Sequence, residues 1–223
     1  MTSPLRLVLF DVDGTLVDSQ GSIVSAMTAS FDALGLTVPD RSAILSIVGL
    51  SLPVALSRLA HDHPVSVQEK LVDGYKEAYH DQRLRQGAAN SPLYPGAREV
   101  LEALHGIPEV LLGVATGKSQ RGLDALIEAH GLERFFVTRQ VADHHPSKPH
   151  PSMIDTARAE TGVDRRNTAM IGDTRFDMDM ASAAGVTGIG VAWGYHDTAE
   201  LEHAAQVIET FDQLPPALHS IWG

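Results

Sequence analysis

Leu7-Val8-Leu9-Phe10-Asp11-Val12-Asp13-Gly14-Thr15 runs an apolar segment straight into two carboxylates and a glycine turn. The apolar residues read as a strand buried in a parallel sheet, so Asp11 and Asp13 emerge at its carboxyl edge, where open α/β sheets bind ligands. A side-chain period of two sends both carboxylates to the same side, one able to attack and the other to move a proton. Two close carboxylates repel, which implies a cation or a shared proton. An isolated Asp-x-Asp-Gly is equally a solvated turn, so the rest of the chain has to decide.

Three further segments bear on that choice: Val114-Ala115-Thr116-Gly117-Lys118, Ser147-Lys148-Pro149, and Ala169-Met170-Ile171-Gly172-Asp173-Thr174-Arg175-Phe176-Asp177. Each follows a predicted strand or lies in a loop near one, and a parallel sheet gathers them at one edge. Together they offer carboxylates for a metal, a hydroxyl for hydrogen bonding and a lysine to neutralise an anion. Mg2+ is satisfied by a few carboxylates, waters and substrate phosphate, with no histidine or cysteine. Asp173 ends a strand and Asp177 lies four residues on, near the first turn of a helix, so both can face one ion. Asp179 points elsewhere and reads as a solvated helix residue.

The remaining periodicity predicts an α/β fold: a doubly wound parallel sheet with an inserted helical cap. Strands are expected at Val110–Ala115, Phe135–Thr138, Thr168–Ile171, Gly188–Ala192 and Ala205–Ile208, with helices from Pro95-Gly96 to His105, Ser119 to His130, Pro151 to Thr161 and Arg175 to Ala184. About a hundred residues separate Asp11 from Thr116, too many for one crossover helix. The intervening pattern is helical: Ser19 to Gly35, Arg41 to Val48, Ser51 to Ala60 with Pro53 in its first turn, and Val67 to Gly87. The expected organisation is a core of residues 1–16 and 91–223 and a helical cap of residues 17–90. Asp18 and Ser19 read as the start of the first cap helix.

Composition narrows the function classes. The 223 residues carry a formal net charge of −11, which argues against nucleic-acid binding and repels phosphate at long range, so a phosphate site here has to rely on local positive charge. The absence of cysteine excludes disulfides, thiol catalysis and thiolate metal sites and fits a reducing compartment. The first motif begins too early to leave room for a signal peptide, and no apolar run approaches a membrane span, so a cytoplasmic monomer or homodimer is expected.

The four motifs, in this order, resemble the haloacid dehalogenase superfamily, and specifically its phosphatases. Leu93-Tyr94-Pro95-Gly96 and Val191-Ala192-Trp193-Gly194-Tyr195 look like its phosphoglycolate phosphatase branch. The resemblance implies hydrolysis of a small phosphorylated metabolite in two steps through a covalent aspartyl-phosphate. Asp11 would be the nucleophile, and Asp13 would protonate the leaving oxygen and then deprotonate the attacking water. Thr116 would hydrogen-bond the transferring phosphoryl group, and Lys148 would hold Asp11 and a phosphoryl oxygen. Mg2+ would be bound by the Asp11 carboxylate, the Asp13 carbonyl and Asp173, with Asp177 ligating directly or orienting a bound water. The cap would close over the sheet edge and select substrate.

The family pattern places Asn where this chain has Gly117, which leaves a backbone N–H and no side-chain amide for substrate. Lys118 either touches substrate or is solvated. Gly49, in Val48-Gly49-Leu50-Ser51, matches the loop that dips toward substrate and is also readable as an interhelical hinge. Arg58, Lys76, Arg83 and Arg85 are candidates for a substrate carboxylate or second phosphate, or are solvated. Trp193 and Tyr195 read as packing or as residues of the site mouth. His144, His145 and His150 lack a metal-binding helical spacing. A dehalogenase would not need Asp13, a phosphonate hydrolase would need a Schiff-base lysine in its cap, and the cap residues of a sugar-phosphate mutase are not recognised. Phosphoglycolate, pyrophosphate, a nucleoside monophosphate and a small sugar phosphate remain open as substrates, so an inorganic pyrophosphatase or nucleotidase is the near alternative. A phospho-accepting signalling receiver or a catalytically idle binding scaffold is the distant one. Receivers, however, place the acceptor after the acidic pair and lack a helical insertion.

Overall fold

The structure, a computed structural model, describes residues 4–223. Its first strand, β1 (Arg6–Phe10), is followed by four helices, α1 (Gln20–Ala33), α2 (Arg41–Leu45), α3 (Leu52–Leu59) and α4 (Val65–Gln86). The chain then alternates: α5 (Ala97–His105), β2 (Val110–Thr116), α6 (Gln120–His130), β3 (Phe136–Val141), α7 (Ser152–Thr161), β4 (Thr168–Gly172), α8 (Arg175–Ala184), β5 (Thr187–Val191), β6 (Gln206–Ile208) and α9 (Leu214–Trp222). All strand pairings are parallel, in the order β3-β2-β1-β4-β5-β6. The order reverses between β1 and β4, and the crevice outside the carboxyl ends of such neighbouring strands is where an open sheet takes its ligand.

The strands are apolar on both faces because helices cover both faces. Val8 and Phe10 of β1 pack in one cluster with residues of α5, α6 and α9, whereas Leu7 and Leu9 pack in the opposite one with residues of α7 and α8. A third cluster belongs to the helical segment: Ile23, Met27, Phe31, Leu56 and Leu71 pack together and are joined by Phe176 from α8. The helical segment thus has its own core, into which the sheet domain inserts the Phe176 ring.

Several boundaries move. β1 stops at Phe10, so Asp11 and Asp13 stand in the loop just beyond it. α2 ends at Leu45, before the expected Val48, and β3 continues to Val141, past the expected Thr138. α9 is an element the sequence pattern did not predict; Pro215 and Pro216 stand in its first turn, where a missing N–H costs nothing. None of the described helices is long and apolar enough to cross a membrane.

Candidate active site

The carboxyl ends of β1, β2 and β4 lie side by side and deliver Asp11, Thr116 and Asp173 to one place. Asp11 is buried, its backbone N–H donating to the Ile171 carbonyl oxygen at 2.9 Å. Lys148 reaches in from the loop before α7 and is buried too; its Nζ lies 3.1 Å from Asp11 Oδ1 and 2.6 Å from Asp177 Oδ1. Asp177 Oδ2 accepts from the Thr174 backbone N–H and hydroxyl, at 3.0 and 2.7 Å, in a capping box that starts α8. Asp173 accepts from the Thr15 hydroxyl and the Tyr195 backbone N–H, each at 2.9 Å. Its carboxylate lies where the backbone of the β1 loop runs closest: a Cβ on Gly14, whose φ is +88°, would fall 2.2 Å from Asp173 Oδ2.

Carboxylate oxygens of Asp11, Asp173 and Asp177 lie within 4.8 Å of one another, all three residues buried. One lysine faces this cluster, and apart from its ion pair with Lys148 the Asp11 carboxylate has no partner among the described residues. Burial, opposed by Lys148 and reinforced by Asp177 and Asp13, pushes the Asp11 carboxyl from 3.8 up to about 7. Burial, with repulsion from Asp177 and Asp11, raises Asp173 well above the ordinary range. Burial by itself would lower the Lys148 ammonium, but Asp11 and Asp177 more than offset it and hold it at about 12. A buried cluster of hard oxygen donors with excess negative charge fits a divalent cation such as Mg2+. Asp177 has less to offer as a direct ligand, since both its oxygens are engaged.

Asp13 is organised separately. Lys118 Nζ contacts both its carboxylate oxygens, at 2.8 and 2.7 Å, and the Ser19 hydroxyl donates to Oδ1 at 2.6 Å. Ser19 in turn donates its backbone N–H to the Tyr195 hydroxyl at 2.8 Å. Burial opposes the Lys118 charge, but Asp13 and Tyr79 hold its pKa above the usual lysine value, and its ammonium also sits over the Tyr79 ring. Lys118 is thus not solvated: its side chain is only 10% exposed and is bound to the second carboxylate of the first motif. Ser19 stands before α1, as expected, yet its side chain turns to Asp13 and gives that helix no side-chain cap.

Thr116 ends β2, buried; its Oγ1 accepts the Lys118 backbone N–H at 3.2 Å, while Ser119 caps α6. A Cβ on Gly117 would lie 2.6 Å from the carbonyl oxygens of both Gly49 and Leu50, so the helical segment comes down onto this loop where only glycine fits. Gly49 itself has a φ of +97°. The same junction is tied by the Ser51 N–H donating to the Ser147 hydroxyl at 2.9 Å. Asp11, Asp13, Gly49, Thr116, Gly117 and Lys118 thus line one cavity of about 200 Å³.

Of the four basic candidates in the helical segment, Lys76 and Arg83 line this cavity. Arg58 instead stacks on Phe176, and Arg85 makes a long exposed pair with Asp81. Tyr75, His80 and Arg121 also line the cavity and carried no sequence signal, because α4 and α6 meet only in the folded chain. Trp193 is tied to the site's loop, its indole N–H donating to the Thr15 carbonyl oxygen at 3.0 Å. Asp179 is partly exposed and pairs with His203, and His145 bonds Ser152 and Gln140.

A family model described as haloacid dehalogenase-like hydrolase matches residues 8–191. Among curated proteins, the chain is 38% identical to "Probable phosphatase IndB" of Dickeya dadantii, over 96% of this chain and 94% of that one. It is 32% identical to the phosphoglycolate phosphatase of Agrobacterium fabrum, over 98% and 95% of the two chains. Among solved structures, a hydrolase from Pseudomonas syringae superposes with a TM-score of 0.84 at 26% identity, covering 98% of this chain and all of that one. The β-phosphoglucomutase of Clostridium difficile gives 0.83 at 17% identity over 98% and 97%, a likeness of fold alone. With its four motifs gathered at one sheet edge and a family model spanning most of its length, the chain belongs to the haloacid dehalogenase-like hydrolase family.

Proposed function

We propose that this protein is a Mg2+-dependent phosphatase that hydrolyses a small phosphate monoester through an aspartyl-phosphate on Asp11, with residues 17–90 acting as its cap. The observation that carries this reading is Asp11 itself: a buried carboxylate whose only partner among the described residues is the Lys148 ammonium, facing a cavity on one side and that lysine and two further acids on the other. Phosphate monoesters are among the slowest esters to hydrolyse unaided, and catalysis comes chiefly from positioning and charge stabilisation. The Thr116 hydroxyl and the Gly117 N–H would hold the phosphoryl oxygens while Lys148 offsets their charge. An Asp11 oxygen would bond phosphorus in line as the bond to the leaving oxygen breaks, and Asp13 would give that oxygen a proton. Asp13 would then take a proton from water, whose oxygen would displace Asp11 and release inorganic phosphate. Lys118 and Ser19 fix the position of the Asp13 side chain, which would carry a proton for the first transfer and be the carboxylate for the second. Asp11, the Asp13 carbonyl and Asp173 would hold Mg2+, with Asp177 ligating it or orienting a bound water, and the ion would supply positive charge against Asp11 and the transferring group.

The test is phosphate release from phosphoglycolate, pyrophosphate, nucleotides and sugar phosphates, with Mg2+ or EDTA, for the unaltered chain beside Asp11→Asn. Mg2+-dependent turnover that the substitution abolishes is expected. No turnover on any member by folded, Mg2+-supplied protein would overturn the proposal.

A further inference from the structure

The cavity in front of Asp11 and Asp13 has two chemically distinct parts. Its interior is walled by the helical segment with apolar side chains, among them Met27 of α1, Val48 and Leu50 of the following loop, and Leu52 and Ala55 of α3. Its basic residues are Lys118, already committed to both oxygens of Asp13, and a rim formed by Lys76, Arg83 and Arg121. Arg83 and Arg121 converge on the His80 ring, and neither has a carboxylate within ion-pair distance among the described residues. In a chain of net charge −11, such a rim offsets the field that a phosphate dianion meets on entry. Beyond the rim a second anion would find apolar walls and no uncommitted cation, so burying it there is costly. About 200 Å³ is also far more room than a two-carbon fragment fills. The Tyr75 hydroxyl, a neutral group on the cavity wall, is the polar group left to orient an uncharged guest.

We infer that the leaving group of the substrate is an uncharged alcohol with a bulky apolar body, larger than glycolate, seated against Met27, Leu52 and Ala55. The assignment rests on the phosphatase reading and names the substrate class of the same site. The basic rim serves the phosphoryl group during entry rather than a second anion on the leaving group.

The n-alkyl phosphates provide the test, because ethyl, butyl and hexyl leaving groups have nearly the same basicity and differ only in apolar length. With the full chain and Mg2+, kcat/KM is expected to rise by up to about fourfold per added methylene until the cavity is full, and 2-phosphoglycolate to fall below butyl phosphate. Leu52→Gln, on a half-buried position, and Met27→Gln, of similar volume, are expected to flatten the series. A readout of slope separates a loss of apolar contact from a general loss of activity. A flat series, a preference for 2-phosphoglycolate, or a slope that neither substitution alters would each overturn the assignment. If no phosphate ester is turned over, the phosphatase reading fails by itself; calorimetric titration of Asp11→Asn protein then still reads the cavity. Tighter binding of hexyl than of ethyl phosphate supports the inference, and equal binding or none overturns it.

Discussion

At the scale of single residues, the two carboxylates of the first motif differ in their neighbours. Asp11 is buried against a lysine shared with Asp177, and Asp13 is clasped by a second lysine and a serine. Lys118→Met removes the clasp, and misplacement of an acid–base group by about an ångström costs as much as 10²-fold; kcat is expected to fall about 10- to 100-fold, with KM changing less. Steady-state kinetics checks this, and an unchanged kcat would mean that Ser19 alone suffices to hold Asp13. Asp11, Asp13, Thr116, Asp173 and Asp177 were legible as candidates because each sits at or just beyond the end of an apolar strand, and Lys148 because it precedes Pro149 ahead of a helix and between two of those motifs. The partners of Lys118 were not legible, since Tyr79 lies in the insertion and Asp13 over a hundred residues upstream. Gly117 is the converse case: its departure from the family pattern is visible in the sequence, but the reason is the pair of carbonyl oxygens that the helical segment brings to it. Gly117→Asn is therefore expected to push residues 49–50 away and lower kcat/KM on every substrate, measurable against unaltered protein of equal thermal stability.

At the scale of elements, the first turn of α8 does two jobs. Thr174 and Asp177 form the capping box that aims Asp177 at Lys148, and Phe176, between them, inserts into the core of the helical segment. Phe176→Ala is expected to cost about 3–5 kcal/mol, seen as a lowered denaturant midpoint. His196 packs edge-on against that ring, and its Nδ1 faces the Arg175 N–H at 3.4 Å. Burial lowers the His196 pKa below its usual 6.5, with Glu200 and Asp177 opposing and Arg175 reinforcing the shift. A base whose folded pKa is depressed binds fewer protons than the unfolded chain does, so its contribution is intact above about pH 6.5 and is lost as pH falls below it. His196→Gln removes that term; urea midpoints between pH 7.5 and 5 should fall less steeply for the variant than for the unaltered chain. The α/β alternation was legible here because caps and glycine stops bound each helix, as Ser119 and Gly131 bound α6. The docking of α8 was not, since Phe176 is an apolar residue on a helix that the sheet could equally have buried. α9 was missed because a Pro-Pro pair reads as a breaker until its place at a helix start is seen.

At the scale of the whole molecule, a fold with 28 acidic and 17 Lys and Arg side chains gathers three carboxylates into a buried cluster facing a single lysine. Without a cation the cluster opposes folding: burial and mutual repulsion raise Asp11 and Asp173, which is the same energy expressed as proton affinity. A cation that binds only the assembled cluster must therefore stabilise the whole chain, because β1, β4 and α8 bring its ligands from segments more than 150 residues apart. For a single site the gain is about 2.7 kcal/mol at a free Mg2+ concentration a hundred times the dissociation constant. In a domain of this size that corresponds to a rise in Tm of roughly 5–10 °C. Thermal unfolding in Mg2+ against EDTA is expected to show it, and Asp173→Asn to abolish most of the difference while leaving a folded protein. Asp179→Asn, which alters a partly exposed carboxylate on the same helix as Asp177, should leave the difference intact and so separates occupation of the buried cluster from general screening of the negative surface. An equal response of both variants, or no response to Mg2+ in the unaltered chain, would mean that the cluster is discharged by protons and Lys148 alone, and the nucleophile assigned to Asp11 would then lack the charge partner on which its reactivity depends.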